Sequence, residues 1–132
     1  VVSLLSLEND KILLFCNQNV QGGISVYDGA DNTLAELHPF YEGTFFEAIT
    51  IDSDNFLFSS SSGLYWYKYS KNSLTPFAAD IIDGHLAYDY TTGIVYACSG
   101  VTMKALSFPF ATLIDSYPLP DNVTELHLVF NK

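Results

Sequence analysis

Short apolar stretches alternate with polar clusters along the whole chain, and their length is that of strands. Ile12 to Cys16, Phe56 to Ser60 and Ile94 to Cys98 are runs of this kind. Each follows a cluster of turn residues: Glu8-Asn9-Asp10, Asp52-Ser53-Asp54-Asn55, and Asp89 to Gly93. Asn, Asp and Gly tolerate the positive φ that short hairpins demand, so each cluster predicts a hairpin into the run that follows. Asp28 to Asn32 and Ser70-Lys71-Asn72 supply a second set of turns, with Pro109 closing a third. No segment carries a sustained apolar pattern at helical spacing with caps.

Laid under one another, these segments repeat at a period near 40 residues. Leu34, Leu74 and Ile114 fall 40 apart, as do Leu37, Phe77 and Tyr117, and Val26, Trp66 and Leu106. Each unit divides into four strands, A to D, giving units at 3–37, 47–77 and 85–117, with 125–130 reading as strand A of a fourth. Strands repeating at this period predict an all-β fold of β-propeller blades, four-stranded antiparallel sheets that bury their faces only by stacking on neighbours. The expectation is an arc of about three blades plus the first strand of another. Propellers close with about four to eight blades. More chain, which the blade count favours, or a second copy would therefore complete the ring.

The segments Gly23 to Leu34 and Gly63 to Leu74 resemble the third strand, turn and fourth strand of WD-repeat blades, with a Gly opening the strand and a polar turn closing it. Gly84-His85 is similar to the Gly-His pair of that family, and the likeness spans nearly the whole chain. Tyr27-Asp28, Tyr67-Lys68 and Ser107-Phe108 stand where the family has Trp-Asp, and Lys104 replaces the apolar residue expected from Ile24 and Leu64. For His85 the resemblance implies structural hydrogen bonding rather than catalysis.

Composition changes the picture in two ways. Fifteen acidic against five basic residues give a formal charge of −10, a field that repels phosphate backbones and anionic lipid. Nucleic acid and membrane insertion are thus excluded as expectations, and basic proteins, cations or neutral ligands remain. Two cysteines, Cys16 and Cys98, align in strand B of the first and third units, with Ser60 as counterpart. A whole blade would separate them, beyond disulfide reach. Both are expected buried and unbridged, which favours a reducing, cytoplasmic compartment over a secreted one.

Candidate chemistry is sparse. Asp52-Ser53-Asp54-Asn55 imitates the opening of a calcium loop without its Gly and distal Glu. His85 with Asp80 and Asp83 lacks metal-ligand spacing, and Ser59 to Ser62 lacks the elbow of a nucleophile. No cofactor or metal is expected. Function in a propeller sits on the loops between strands D and A and between B and C. The first D-to-A connection, His38 to Phe45, is aromatic with one acid, and the second and third are acidic. Phe40, Tyr41, Glu42 and Phe45, flanked by Asp80, Asp83 and Asp121, are the candidate binding residues for a protein or a basic peptide. The competing reading tucks Phe40 and Phe45 beneath their own loop. A non-enzymatic interaction scaffold is the expected function, ahead of a lectin-like ligand-binding propeller and a metal-dependent hydrolase or lactonase.

Overall fold

The computed structural model describes residues 1–129. It is all-β, with three four-stranded antiparallel sheets. The first holds β1 (Ser3–Ser6), β2 (Lys11–Gln18), β3 (Gln21–Asp28) and β4 (Thr33–Phe40). The second holds β5 (Phe45–Thr50), β6 (Asn55–Ser60), β7 (Gly63–Lys68) and β8 (Ser73–Ala78). The third holds β9 (His85–Asp89), β10 (Ile94–Ser99), β11 (Thr102–Ser107) and β12 (Leu113–Pro118). Within each sheet the spatial order follows the chain. The predicted turn residues adopt the conformations expected of them: Asn9, Asp10, Asn32 and Asn72 all have positive φ.

The sheets meet chiefly through their first strands, β1 against β5 and β5 against β9, as in an open propeller-like arc. Strand alternation gives each sheet a rear face toward the preceding unit and a front face toward the next. Leu13, Phe15 and Ile24 on the front of the first sheet pack with Phe56, Phe58 and Tyr67 on the rear of the second. Leu57 and Leu64 on the front of the second pack with Leu86, Val95, Ala97 and Leu106 on the rear of the third. The middle sheet is covered by a unit on both sides, and β6 shows it, with every residue from Phe56 to Ser60 buried.

Hydrogen bonds cross both interfaces at matching places. The Ala48 N–H donates to Ser3 Oγ at 3.1 Å, and the Leu86 N–H donates to Glu47 Oε2 at 2.5 Å. Ser3, Glu47 and His85 are one position of the repeat, since they pair with Phe15, Ser59 and Cys98 of their own sheets. A strand-A side chain thus caps the strand-A amide of the unit that follows. On the outer side, the Tyr27 hydroxyl donates to Asn32 Oδ1 at 2.7 Å and the Tyr67 hydroxyl to Asn72 Oδ1 at 2.6 Å. Asn72 also donates through Nδ2 to the Leu37 carbonyl of the preceding unit at 2.7 Å.

Four sequence expectations need correction. Cys16 and Cys98 are free, but only Cys98 is buried and Cys16 is half-buried. They are not equivalent either: Val95 and Ala97 face the second sheet, so Cys98 faces the other way and matches Ser59, while Cys16 lies on the rear of the first sheet, where no unit covers it. The 40-residue spacing slips by one in the third unit, where Leu106, not Ser107, pairs as Tyr27 and Tyr67 do. Residues 125–129 form no strand, because no strand B follows among the described residues to pair with them; Phe130, the last residue of that expected strand, lies outside the described residues.

Candidate functional site

The loops after β4, β8 and β12 lie along one rim of the arc, where strand-B-to-C hairpins hold them. The Thr44 N–H donates to Ser61 Oγ at 3.1 Å, and the Ser61 N–H returns a bond to the Thr44 carbonyl at 3.0 Å. The approach is close: a Cβ on Gly43 would sit 2.0 Å from Ser61 Oγ, at a φ of +154° that disfavours a side chain. Ser99 Oγ donates to the Ile82 carbonyl at 2.7 Å, and the Asp83 N–H donates to the Ser60 carbonyl at 3.0 Å. The Leu119 N–H donates to the Val101 carbonyl at 2.7 Å, which sets the third loop on its own hairpin.

Between the first and second units these loops frame a cleft of about 310 Å³, lined by Pro39, Phe40, Tyr41, Glu42, Tyr65 and Pro76 among others. Tyr41 stands at its mouth, 75% exposed. The Tyr65 hydroxyl donates to the Glu42 carboxylate. Burial, and then the hydrogen bond to Glu42, push the Tyr65 phenol above its ordinary range. The second interface has a smaller counterpart, of about 170 Å³, lined by Asp80, Ile81 and Lys104 with polar hairpin residues. There Lys104 bonds to Asp80, and this contact holds the Asp80 carboxyl below its usual range. Tyr65 and Lys104 occupy one position of the repeat, so each cleft is closed by a loop carboxylate bonded to the third strand of the next sheet.

The structure divides the seven sequence-predicted residues. Phe40 and Phe45 are 3% and 4% exposed and belong to the core, stacked on each other at 5.2 Å with Phe58 edge-on to both. Phe40 still forms the floor of the first cleft, whereas Phe45 lies beneath it. Tyr41 and Glu42 are at the surface of that cleft, Asp80 and Asp83 belong to the next loop, and Asp121 lies one unit further on. They share one rim without converging on one groove. Sequence reasoning missed Pro39, Tyr65 and Pro76. The two prolines had a usable signal, because Pro within a sheet is confined to edge strands, and both sit on the outermost strand of their unit.

The remaining polar clusters are occupied structurally. Asp52 accepts from the Asp54 and Asn55 N–H groups at 2.9 and 2.8 Å. Asp54 pairs with Lys68 at 3.1 Å and accepts from Ser70. Burial works to raise both carboxyls, and these bonds outweigh it, so both lie below their ordinary value. Trp66 donates through Nε1 to Asn55 Oδ1 at 2.9 Å and packs edge-on to Phe108, which makes it part of the second interface. Among the described residues no group of three or more His, Cys, Asp or Glu could hold a metal ion.

No family model matches the chain, and no curated protein matches it. Solved structures do. The computationally designed Ika4 protein superposes with a TM-score of 0.75 at 13% identity, over 98% of this chain and 80% of that one. The computationally designed Ika8 protein superposes with a TM-score of 0.71 at 14% identity, over 98% of this chain and 40% of that one. At such identities the likeness is one of fold, and this chain spans about two fifths of the length of the Ika8 protein.

Proposed function

We propose that this chain is a non-enzymatic interaction scaffold, a divergent propeller segment of WD-repeat type whose loop rim binds a basic peptide or protein. The observation that carries the reading is the first cleft: an exposed Tyr41 over a wall of Pro39, Phe40 and Pro76, closed at one side by Glu42. A proline or aliphatic side chain suits the apolar wall, and a Lys or Arg beside it meets Glu42 in the field of a molecule with formal charge −10. His85, set against Glu47 at 3.4 Å and edge-on to Phe46, supports the structural role implied by the WD-repeat resemblance. Asp83 and Asp121 extend the acidic rim, and Asp80 contributes least because Lys104 neutralises it locally.

The test is fluorescence anisotropy with labelled short peptides combining Pro or aliphatic residues with Lys or Arg, against the same peptides carrying Glu in place of the basic residues. Only the basic set should bind, with an association rate that falls as salt screens the field. Glu42→Gln, or Asp83→Asn with Asp121→Asn, should slow association. Tyr41→Ala should speed dissociation about tenfold, the effect of losing roughly 1.4 kcal/mol of anchor. Equal binding of the acidic set, or rates that none of these changes alters, would refute the reading.

A further inference from the structure

Two edge strands, β4 and β8, contribute to the wall of the first cleft, and neither can take up an added strand there. Pro39 and Pro76 have no N–H, and a proline on an edge strand withholds the donor on the open side, where an incoming strand would pair. The Pro39 carbonyl is engaged as well, accepting from His38 Nδ1 at 2.8 Å. Both ladders also slip beside the prolines: Leu37 is passed over between Glu36 and His38, and Phe77 between Pro76 and Ala78. Bulges of this kind turn an edge away from further pairing. A peptide in this cleft must therefore be held by side chains and not by a backbone ladder.

The side chains present suit a polyproline II helix, whose backbone makes no internal hydrogen bonds and needs no ladder. Tyr65 is a fixed wall, its ring stacked on Phe58 at 5.5 Å and edge-on to Phe40 at 5.0 Å. Tyr41, exposed at the mouth, offers a second ring face and a hydroxyl that can donate to a peptide carbonyl. Glu42 supplies the charge. Its bonded partner is the neutral Tyr65 phenol, and among the described residues no cation pairs with it. At the second cleft the equivalent carboxylate, Asp80, is already paired with Lys104. Charge complementarity thus directs a basic residue to the first cleft.

We propose, on the basis that the rim is a site for basic peptides, that the occupant of the first cleft is a proline-rich segment of another protein, bound as a polyproline II helix with a Lys or Arg on Glu42. The cleft selects conformation as well as charge. A proline arrives with its φ already fixed, whereas a flexible residue loses that freedom on binding. Two prolines are together worth about tenfold in affinity on this account.

Fluorescence anisotropy on the full chain, with three labelled peptides of equal length and charge, tests the selection. Each carries one Arg; the first has two prolines, the second Val in their place and the third Ala. The proline peptide should bind about tenfold more tightly than either of the others. Pro76→Thr, at an exposed edge position, removes a ring from the wall and returns an N–H to the edge. With the circular dichroism spectrum unchanged, it should bring the proline and valine peptides to within about threefold of each other. Valine or alanine peptides that bind the parent as tightly as the proline peptide would overturn the conformational selection and leave the basic-peptide site standing. A proline preference that Pro76→Thr does not alter would overturn it too, by locating the preference outside this cleft. Binding of none of the three would overturn both readings.

Discussion

Replacing Phe58 by Ala tests whether the interface between the first two units is the main source of stability. Phe58 is fully buried, and its ring lies 4.6 Å from Phe45, 5.3 Å from Phe40, 5.5 Å from Tyr65 and 5.6 Å from Phe15. Four aromatic neighbours, on two strands of the first unit and two of the second, cannot collapse far into the void. The cost therefore belongs in the upper part of the range for Phe→Ala, about 3–5 kcal/mol. For 132 residues, an unfolding entropy of roughly 2.1 cal/mol/K per residue converts the upper part of that range, about 4–5 kcal/mol, to a fall in Tm of about 14–18 °C. Urea unfolding followed by tryptophan fluorescence and circular dichroism, at one fixed protein concentration, measures it. Phe110→Ala, at a residue 82% exposed, is the control and should stay within about 0.5 kcal/mol of the parent. A loss below about 1 kcal/mol for Phe58→Ala would refute the reasoning. So would a first sheet that melts separately from the other two in the parent protein.

Two further predictions concern pH. Asp52, Asp54, Asp80 and Asp89 all have carboxyls held below their ordinary value, so the unfolded chain binds more protons than the native one near and below pH 4; the stability these groups confer is present above that range and lost as pH falls through it. Thermal melts from pH 7 to pH 3 should show the decline, and Lys104→Met should make it shallower by releasing Asp80. Tyr67 is pushed up to about 12 by burial, with the Tyr69 and Asp54 charges adding to it, so its contribution is complete below pH 10 and lost between about 10 and 12. Ultraviolet titration should find the same number of phenols ionising near pH 10 in the parent and in Tyr67→Phe; one fewer in the variant would contradict the burial of Tyr67.

The strands and turns were legible because their signals are local. Asn9, Asn32 and Asn72 sit where a left-handed residue is needed, and alternation along β2 separates Leu13 and Phe15 from Ile12 and Leu14 without reference to any other part of the chain. The register between units was not local. Cys16 and Cys98 look equivalent by spacing, and only the packing of Val95 and Ala97 against Leu57 shows that the third strand B is shifted by one residue, which turns Cys98 to the opposite face. The rim was half legible: a run such as His38 to Phe45 carries acid and aromatic residues, but its composition does not say which aromatics turn inward. Phe40 and Phe45 turn inward because Phe15 and Phe58 offer them an apolar pocket, and Tyr41, between them and the loop tip, is left outside. The polar partners Glu42–Tyr65 and Asp80–Lys104 span 23 and 24 residues and cross between units, where no short window of sequence reaches.

The burial of β6 on both faces has a consequence for the chain before it folds. A strand covered from two sides has no need of polar alternation, and Asn55 to Ser60 accordingly reads Asn-Phe-Leu-Phe-Ser-Ser, with no charge and no proline. Uncharged, β-prone segments of this length are the ones that stack between unfolded chains. Asp52 and Asp54 stand immediately before it and Lys68 shortly after, so the residues that order the native turn through Asp52 and the Asp54–Lys68 pair also place charge beside the most aggregation-prone stretch of the nascent protein. The same carboxylates thereby guard solubility during synthesis and geometry afterwards.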